Sequence, residues 1–280
     1  MSPDQFQDID YHKDSDGVVT LTLNTPKRKN ALSMLTFLEI YYAIDEYEKD
    51  NLAYAMVITG AVDADSTDES KEAFSSGGYF SPDALKGVPK EILLEIDTSD
   101  IAQKRTTLKM FQCPKPIIAA INGFAIGGAF TMAFAGADQI YVSEHAWVRL
   151  PFAKLGIAAE LASSLLMPRL MGLHQAKEIM FFAEVINAEK LVELKLANKV
   201  IAHADLLTYA KDQARKLCPP EGAALAISEI KKLLNEPLVA AVSEALDREN
   251  AALQKLFSST DFIEGINARV ERREAKFTGT

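Results

Sequence analysis

The sequence of 280 residues predicts an α/β protein with parallel strands, followed by a region of helices alone. Short β-branched or apolar runs alternate with segments of helical periodicity as far as about residue 200. One of these runs, PIIAAIN at residues 116–122, is apolar until its last residue and is followed by glycine, as in a strand covered on both faces. Beyond Lys199 only helical periodicity remains. We therefore expect a core of residues 1–200 and a helical region of residues 201–280.

The first part of the core alternates between strand and helix. Residues 17–24 read GVVTLTLN, which predicts a strand that ends at the Thr25-Pro26 break. Ser33 is a candidate N-cap for a helix over residues 34–50, and residues 54–59 predict the next strand. Residues 62–72 hold five acidic residues against one lysine, which indicates an exposed loop.

The second part continues this alternation and then changes character. Residues 127–134 predict a helix rich in small residues, and residues 139–143 predict another strand. Helical periodicity then covers residues 204–217, 222–234 and 237–257, with breaks at Cys218-Pro219-Pro220 and Glu236-Pro237. A helical layer of this length has an apolar face to bury, and a second subunit is one way of burying it.

Composition argues against several classes of protein. Thirty Lys and Arg against 39 Asp and Glu give a net charge of −9, which would repel a nucleic-acid backbone or an anionic membrane. Two cysteines, Cys113 and Cys218, are too few for a disulfide framework and suit a reducing compartment. We find no membrane-spanning apolar run, no secretory signal and no peroxisomal address. We expect a cytoplasmic protein that binds neither nucleic acid nor membrane.

Two glycine-bearing junctions are candidates for chemistry. FSSGGYF at residues 74–80 follows the acidic loop, and NGFAIGGA at residues 122–129 follows a strand at a helix start. Glycines let a ligand approach backbone N–H groups, and a helix N-terminus adds partial positive charge, so Gly127 and Gly128 could hold an oxyanion. Taken singly, each junction is more often a tight turn between strand and helix.

Other chemical signatures do not fit this sequence. Neither junction matches the dinucleotide or Walker pattern, and Ser75 and Ser76 lack the G-x-S-x-G motif of serine hydrolases. The histidines lack metal-ligand spacing, so we expect no metal and interpret them as structural or solvated. They are His12, His145, His174 and His203.

Four segments, taken in order, resemble the enoyl-CoA hydratase/isomerase (crotonase) superfamily from about residue 9 to residue 278. They are LTLNTPKRKNAL at residues 21–32, FSSGGY, INGFAIGGA, and a closing STDFIEG with ERR and KF. The resemblance implies a crotonase-like spiral of ββα turns whose C-terminal helices drive assembly into a homotrimer or a dimer of trimers. It also implies an acyl-CoA substrate, with CoA as part of the substrate and no separate cofactor.

The same resemblance implies the catalytic groups. The two oxyanion-hole amides would be those of Gly78 and Gly128, which would bind the thioester oxygen. The two glutamates of the hydratases would align with Thr131 and Phe152, neither of which can transfer a proton in that way. The one carboxylate of PFAKLGIAAE, Glu160, resembles the catalytic glutamate of Δ3,Δ2-enoyl-CoA isomerases. Its apolar neighbours would raise its pKa toward useful base strength, although a glutamate in a first helical turn can also be favoured by the helix dipole alone.

The function implied is an acyl-CoA isomerase of fatty acid β-oxidation. Glu160 would move a proton of a 3-enoyl-CoA from C2 to C4. The alternatives are another crotonase-type isomerisation, of a dienoyl-CoA or with ring opening, and a non-catalytic acyl-CoA-binding scaffold. Three departures could reshape the acyl pocket: Tyr79 replaces the usual aspartate, the acidic loop is long, and Leu161 and Ala162 follow Glu160 where small residues or glycine are usual.

Substrate-binding residues are expected in three segments. Lys27, Arg28 and Lys29 could attract the CoA phosphates or form an ordinary solvated turn. By the resemblance, Ala31 and Leu32 meet the adenine through their backbone, and Lys276 and Phe277 contribute from a neighbouring subunit. The remaining candidates flank the first oxyanion glycine and are Ser76, Gly77, Tyr79 and Phe80.

Overall fold

The computed structural model describes residues 1–79 and 84–280. The strands in these ranges are β1 (Ile9–Lys13), β2 (Val18–Leu23), β3 (Ala55–Gly60), β4 (Ala73–Ser75), β5 (Ile117–Ile121), β6 (Phe124–Ile126), β7 (Gln139–Ser143), β8 (Trp147–Arg149), β9 (Ile186–Asn187) and β10 (Lys199–Ile201). The α-helices are α1 (Met34–Lys49), α2 (Lys90–Leu93), α3 (Lys104–Gln112), α4 (Gly128–Gly136), α5 (Ser163–Met171), α6 (Leu173–Phe182), α7 (Ala188–Glu193), α8 (Leu206–Arg215), α9 (Ala224–Leu256) and α10 (Thr260–Glu271).

The strands form two sheets that the chain visits in turn. The larger sheet has the order β1-β2-β3-β5-β7-β10, and the smaller has the order β4-β6-β8-β9. Pairing is parallel throughout except where β1 meets β2 and where β8 meets β9. Because β3 is followed by β4, β5 by β6 and β7 by β8, three successive passes of the chain each add one strand to both sheets. The predicted α/β class with parallel strands is confirmed.

The central strand β5 is buried on both faces, as its apolar sequence predicted. Ile117, Ala119 and Ile121 point into the main core between the sheet and the inner helices. Ile118 and Ala120 point to the opposite face, where α8 covers the sheet. This arrangement explains why the strand shows no alternation of polar and apolar residues.

Most of the predicted elements lie within two residues of the observed ones. Helix α1 begins after Ser33, whose hydroxyl accepts from the N–H of Thr36 at 3.1 Å and so caps the helix as expected. The strands β2, β3, β5 and β7 all occupy predicted segments. The last strand of the larger sheet, β10, straddles the boundary that the sequence placed near residue 200.

The predicted break at Glu236-Pro237 is wrong, because α9 is one helix of 33 residues that contains Pro237. Proline inside a helix removes one backbone hydrogen bond and usually costs about 3 kcal/mol. Pro237 lies on an exposed face, where water can solvate the carbonyl left without a donor. Packing of α9 against α3 and α5 keeps the helix continuous. No helix in residues 1–79 and 84–280 is both long enough and apolar enough to cross a membrane.

The acidic loop of residues 62–72 is exposed over most of its length, but its last residue is buried. Glu72 is 8% exposed, and its Oε2 lies 3.3 Å from Nε2 of His203. The other ring nitrogen of His203 lies 3.0 Å from the hydroxyl of Ser143. This histidine therefore has a structural role, and the loop is attached to the sheet just before β4.

Candidate active site

Two glycine-bearing turns and one glutamate line a cavity of about 320 Å³. Strands β4 and β6 are parallel neighbours in the smaller sheet, so the turns that follow them leave the sheet at the same edge. This brings Gly78 and Gly128 to one cavity, and Glu160 reaches it from the segment before α5. Larger cavities of about 470 and 590 Å³ lie beside α9 and beside the C-terminal tail, but neither is lined by these glycines.

The first turn is held in place by Leu32. The N–H of Leu32 donates to the carbonyl of Gly77 at 2.9 Å, and the N–H of Tyr79 donates to the carbonyl of Leu32 at 2.8 Å. Gly78 lies between these two bonds, so its own N–H faces away from Leu32. Gly77 has a φ of +85°, and a Cβ there would lie 2.4 Å from the carbonyl oxygen of Ile126, so only glycine fits. Within the described residues the N–H of Gly78 donates to no acceptor.

The second turn opens helix α4. Gly127 has a φ of 54°, and its N–H donates to the carbonyl of Arg149 at 2.9 Å. Gly128 is the first helical residue, so its N–H has no acceptor within the helix. The helix N-terminus adds partial positive charge at this N–H. The amides of Gly78 and Gly128 thus both suit an oxygen that gains negative charge.

Glu160 lies directly beside the second amide. A Cβ built on Gly128 would come within 2.8 Å of Oε1 of Glu160. The pKa of Glu160 is raised from 4.5 to about 8. Burial is the largest cause and the negative charge of Glu249 is the second, while a hydrogen bond from the N–H of Gly128 lowers the pKa in part. A carboxyl group with this pKa can accept and release a proton near neutral pH.

The backbone after Glu160 differs from the predicted helix start. A short 3-10 helix, Ala153–Leu155, precedes it, and α5 begins only at Ser163. Between them Leu161 and Ala162 have φ values of 52° and 59°, a left-handed conformation that costs non-glycine residues about 1 kcal/mol or more each. Glu160 is therefore not in a first helical turn, and the helix-dipole explanation for its presence does not apply.

A second carboxylate, Glu249 of α9, holds this strained turn. It is 4% exposed. Its Oε2 accepts from the N–H of Ala162 at 2.8 Å, and its Oε1 accepts from the N–H and the hydroxyl of Ser164 at 3.0 and 2.5 Å. Ala162 is the N-cap residue of α5 and has no side chain that can cap the helix. Glu249 supplies that cap from another helix.

The remaining wall of the cavity is largely apolar. Its other polar side chains are Ser33, Tyr79, Thr98 and Gln103, and its apolar ones are Leu32, Met34, Phe37, Ala84, Leu85, Ile101 and Phe257. Among the lining residues that the structure describes, Glu160 alone carries a carboxyl group. An apolar cavity of this size with a few converging polar groups is typical of a small-molecule site.

The two positions that the resemblance assigns to hydratase glutamates do not carry acid–base groups here. Thr131 is fully buried in α4, and its hydroxyl donates to the carbonyl of Gly127 at 3.4 Å. Phe152 is 3% exposed and packs in the main core.

Most of the predicted substrate-binding residues surround the first turn. Ala31 and Leu32 are buried, and Leu32 lines the cavity. The carbonyl of Lys29 accepts from the N–H of Ser76 at 2.9 Å, which joins the two segments. Tyr79 lines the cavity. Phe80 lies outside the described residues.

The basic triplet before Ala31 is largely paired with acidic residues. Lys27 forms ion pairs with Asp63, at 3.0 Å, and with Asp65, so part of the acidic loop folds back onto this lysine. Arg28 pairs with the buried Asp8 at 2.5 Å, and its guanidinium lies 5.0 Å from the ring centre of Tyr79. These two cations therefore link the segment before Ala31 to the acidic loop and to Asp8.

Lys276 and Phe277 lie away from this cavity in the chain described. The N–H of Lys276 donates to Glu264 at 2.7 Å, and Phe277 lines the 590 Å³ cavity with Arg149, Lys154 and Arg269. Their contribution to a neighbouring subunit stays a prediction.

Sequence reasoning did not find Gln103, Phe257 or Glu249. Gln103 and Phe257 come from segments without a motif, and only the fold brings them to the cavity. Glu249 did leave a signal, because it lies on the buried stripe of α9 formed by Val242, Ala245, Leu246 and Leu253. A charged residue on an apolar stripe is rare unless it has a partner.

Comparisons with known proteins agree with this geometry. The profile of the family described as enoyl-CoA hydratase/isomerase matches residues 13–280. A short-chain-enoyl-CoA hydratase from Clostridium acetobutylicum is 30% identical over 92% of each chain. A probable enoyl-CoA hydratase from Mycobacterium bovis is 31% identical over 95% of this chain and 97% of that one. A solved enoyl-CoA hydratase from Mycobacterium avium subsp. paratuberculosis superposes with a TM-score of 0.80 and 26% identity over 97% of this chain and 99% of that one. The predicted crotonase-like fold is confirmed.

Proposed function

This chain belongs to the enoyl-CoA hydratase/isomerase family, and on that premise we propose that it moves the double bond of a 3-enoyl-CoA to the 2-position. The observation that carries this proposal is the single carboxyl group among the described residues of the cavity wall, placed beside an oxyanion-hole amide. One acid–base group is enough for a 1,3-proton shift, whereas addition of water across a double bond calls for one group to activate the water and a second to protonate carbon.

The proposed reaction proceeds in two proton transfers. The thioester oxygen accepts hydrogen bonds from the N–H groups of Gly78 and Gly128. The carboxylate of Glu160 removes a proton from C2, and the electron pair of that C–H bond forms the enolate, whose negative charge the two amides stabilise. Glu160 then returns the proton to C4, the double bond shifts to C2 and C3, and the carboxylate is regenerated. No cofactor takes part.

The position of Glu160 supports both transfers. Its Oε1 lies close to Gly128, whose N–H donates to this carboxylate, so a thioester oxygen that takes over that N–H brings C2 near the carboxyl group. Its pKa of about 8 means that the carboxylate is a stronger base than an exposed glutamate. Apart from Glu160, the described residues of the wall offer no carboxyl group to activate a water, which suits isomerisation better than hydration.

Hydration of a 2-enoyl-CoA is the second candidate, and the names of the relatives favour it. Against it stand Thr131 and Phe152 at the positions where the resemblance places the two hydratase glutamates. The two reactions differ in their products, so one assay distinguishes them. The purified protein is incubated separately with a 3-enoyl-CoA and with a 2-enoyl-CoA, and the conjugated thioester is followed by absorbance and the products by mass. Isomerisation forms the conjugated thioester at constant mass, and hydration consumes it with the gain of one water.

Assembly into trimers is part of the proposal. The first half of α9 exposes large apolar side chains, with Leu225 86%, Leu233 71% and Leu234 69% exposed. A surface of this kind is suited to contact with another subunit. Light scattering of the purified protein measures its mass directly. Location in the cytoplasm stays a prediction.

A further inference from the structure

We propose that Glu249 is the positioning residue for Glu160: from helix α9 its carboxylate holds the turn at Leu161 and Ala162 that directs Glu160 into the cavity, and it places a second negative charge behind it. This inference rests on the proposed function, because it assigns a role in the reaction of Glu160.

The first observation is where the hydrogen bonds of Glu249 go. The carboxylate accepts three hydrogen bonds of 2.5 to 3.0 Å from Ala162 and Ser164, which are two and four residues beyond Glu160. A carboxylate buried to this degree is unfavourable unless its oxygens are fully hydrogen-bonded. Here the N-terminus of α5 provides the donors, and its partial positive charge offsets part of the burial.

The second observation is the backbone that these bonds hold. Leu161 and Ala162 are both left-handed without being glycine. Such a turn persists only when surrounding contacts fix it. Glu160 immediately precedes the turn, so loss of the contact from Glu249 would let the turn relax and move the carboxyl group of Glu160 relative to Gly128.

The third observation is electrostatic. Burial is the largest cause of the raised pKa of Glu160, and the negative charge of Glu249 is the second. The pKa of Glu249 is itself raised, because burial outweighs the opposing effects of its hydrogen bonds to Ser164 and Ala162 and of the charge of Arg248. Other charged residues near it on α9 and α3 are already paired: Arg248 with Glu244, and Asp247 with Lys104. Asp100, which precedes α3, accepts from Asn250.

The neighbouring residue of α9, Asn250, holds a second segment of the cavity wall. Asn250 accepts from the N–H of Ala102 at 2.6 Å and donates to Asp100 at 2.9 Å, in the segment that carries Ile101 and Gln103 into the cavity. Glu249 and Asn250 therefore hold two different segments of the cavity wall, one that follows Glu160 and one that carries Ile101 and Gln103.

The test compares Glu249→Gln and Glu249→Asp with a control, Glu229→Gln, which changes an exposed acidic residue of the same helix that pairs with Lys232. Gln keeps the size of Glu249 but removes its charge and cannot accept from both backbone N–H groups. We expect kcat to fall about tenfold and the acidic limb of the pH profile to move down by about one pH unit. Asp keeps the charge but is too short to reach the turn at Leu161 and Ala162. We therefore expect kcat to fall while the acidic limb of the pH profile stays in place. Glu229→Gln leaves both kcat and the acidic limb unchanged.

A readout independent of catalysis separates this inference from the proposed function. Glutamate carboxyl groups are labelled with carbon-13, and the signal of Glu160 is assigned by its loss in Glu160→Gln. The titration midpoint of Glu160 is expected to be lower in Glu249→Gln than in the wild type. If the midpoint moves in a protein without isomerase activity, the role of Glu249 stands and the proposed function is wrong. If neither the midpoint nor the pH limb moves, the role of Glu249 is wrong.

A milder variant covers the case in which Glu249→Gln does not fold. Ser164→Ala removes only the hydroxyl donor and leaves the backbone contact. It is expected to lower kcat about threefold with KM unchanged, because the turn is held less firmly. A kcat equal to that of the wild type would overturn the inference.

Discussion

The carboxyl group of Glu160 and the backbone of Gly128 lie against each other, so that a methyl group on Gly128 would come within 2.8 Å of Oε1 and 3.4 Å of Cδ1 of Leu161. This contact explains why glycine occupies the first position of α4, where no positive φ requires it. The proposed base and one of the two proposed oxyanion-hole amides therefore occupy a single small volume.

Gly128→Ala is expected to reduce turnover while leaving the fold intact. The new methyl group would displace the end of a flexible side chain, which costs little stability but moves the base away from C2. We expect kcat to fall about a hundredfold or more, with the midpoint of urea unfolding close to that of the wild type. Wild-type turnover by this variant would contradict the close contact.

Gly77→Ala is expected to show the opposite pattern. Gly77 has a φ of +85°, and the new Cβ would lie 2.4 Å from the backbone oxygen of Ile126, which cannot move without disturbing β6, where Ile126 pairs with Arg149 of β8. We expect a loss of about 2 kcal/mol or more in the free energy of unfolding. Urea denaturation measures it. Unchanged stability would show that the turn is not held as described.

The reaction is expected to require Glu160 in its deprotonated form. Because its pKa is about 8, kcat/KM should rise with pH and level off above about pH 8. The pKa of Glu39 is also raised by burial, to about 7, but Glu39 lies on α1, accepts from the N–H groups of Gln7 and Asp8, and does not line the cavity. A profile that is flat from pH 6 to 9, at a rate limited by chemistry, would count against Glu160 as the base.

The same pKa shift predicts how stability depends on pH. Glu160 binds its proton more tightly in the folded state, with a pKa of about 8, than in the unfolded chain, where 4.5 is usual. The contribution of Glu160 to the free energy of unfolding is therefore fully present below pH 4.5 and is lost as the pH rises toward 8. The wild type should lose roughly 2 kcal/mol relative to Glu160→Gln between pH 5 and pH 8.5, less than the full shift implies because the side chain is partly exposed to the cavity. Urea unfolding of both proteins at the two pH values measures this difference. An equal change in the free energy of unfolding for the wild type and Glu160→Gln would contradict the prediction.

Asn250→Ala is expected to affect binding more than turnover. It removes the bonds to Ala102 and Asp100 and so loosens the segment that carries Ile101 and Gln103. Since Asn250 holds the segment of Ile101 and Gln103 and not the turn that follows Glu160, KM should rise severalfold while kcat changes little. Gln254→Ala, which removes only a 3.2 Å contact to the carbonyl of Ser99, serves as the control. A fall in kcat with unchanged KM would place Asn250 with the base instead.

Local sequence patterns predicted the elements that depend on local rules. The strands β2, β3, β5 and β7 and the cap at Ser33 follow from β-branched runs, apolar runs and capping chemistry, all of which act over a few residues. Pro237 misled the prediction because tertiary packing outweighed a local cost. The short strands of the smaller sheet, of two or three residues, are too brief to show a period, so the sequence did not reveal that sheet.

The candidate site could be predicted only as far as its motifs extend. Gly78, Gly128 and Glu160 were named from the sequence, and the fold brings all three to one cavity. The partner of Glu160 could not be named, because Glu249 lies 89 positions away and meets it only through the packing of α9 on α5. The left-handed turn at Leu161 and Ala162 was equally hidden, since neither residue type favours it.

The most direct test of the account is the isomerisation of a 3-enoyl-CoA by Glu160→Gln. Gln has the size of Glu and keeps the cavity filled, but it cannot take a proton from C2. We predict that kcat falls about a thousandfold while calorimetry shows that the variant still binds the acyl-CoA. If Glu160→Gln instead turns over as fast as the wild type, Glu160 is not the proton carrier and the proposed mechanism is wrong.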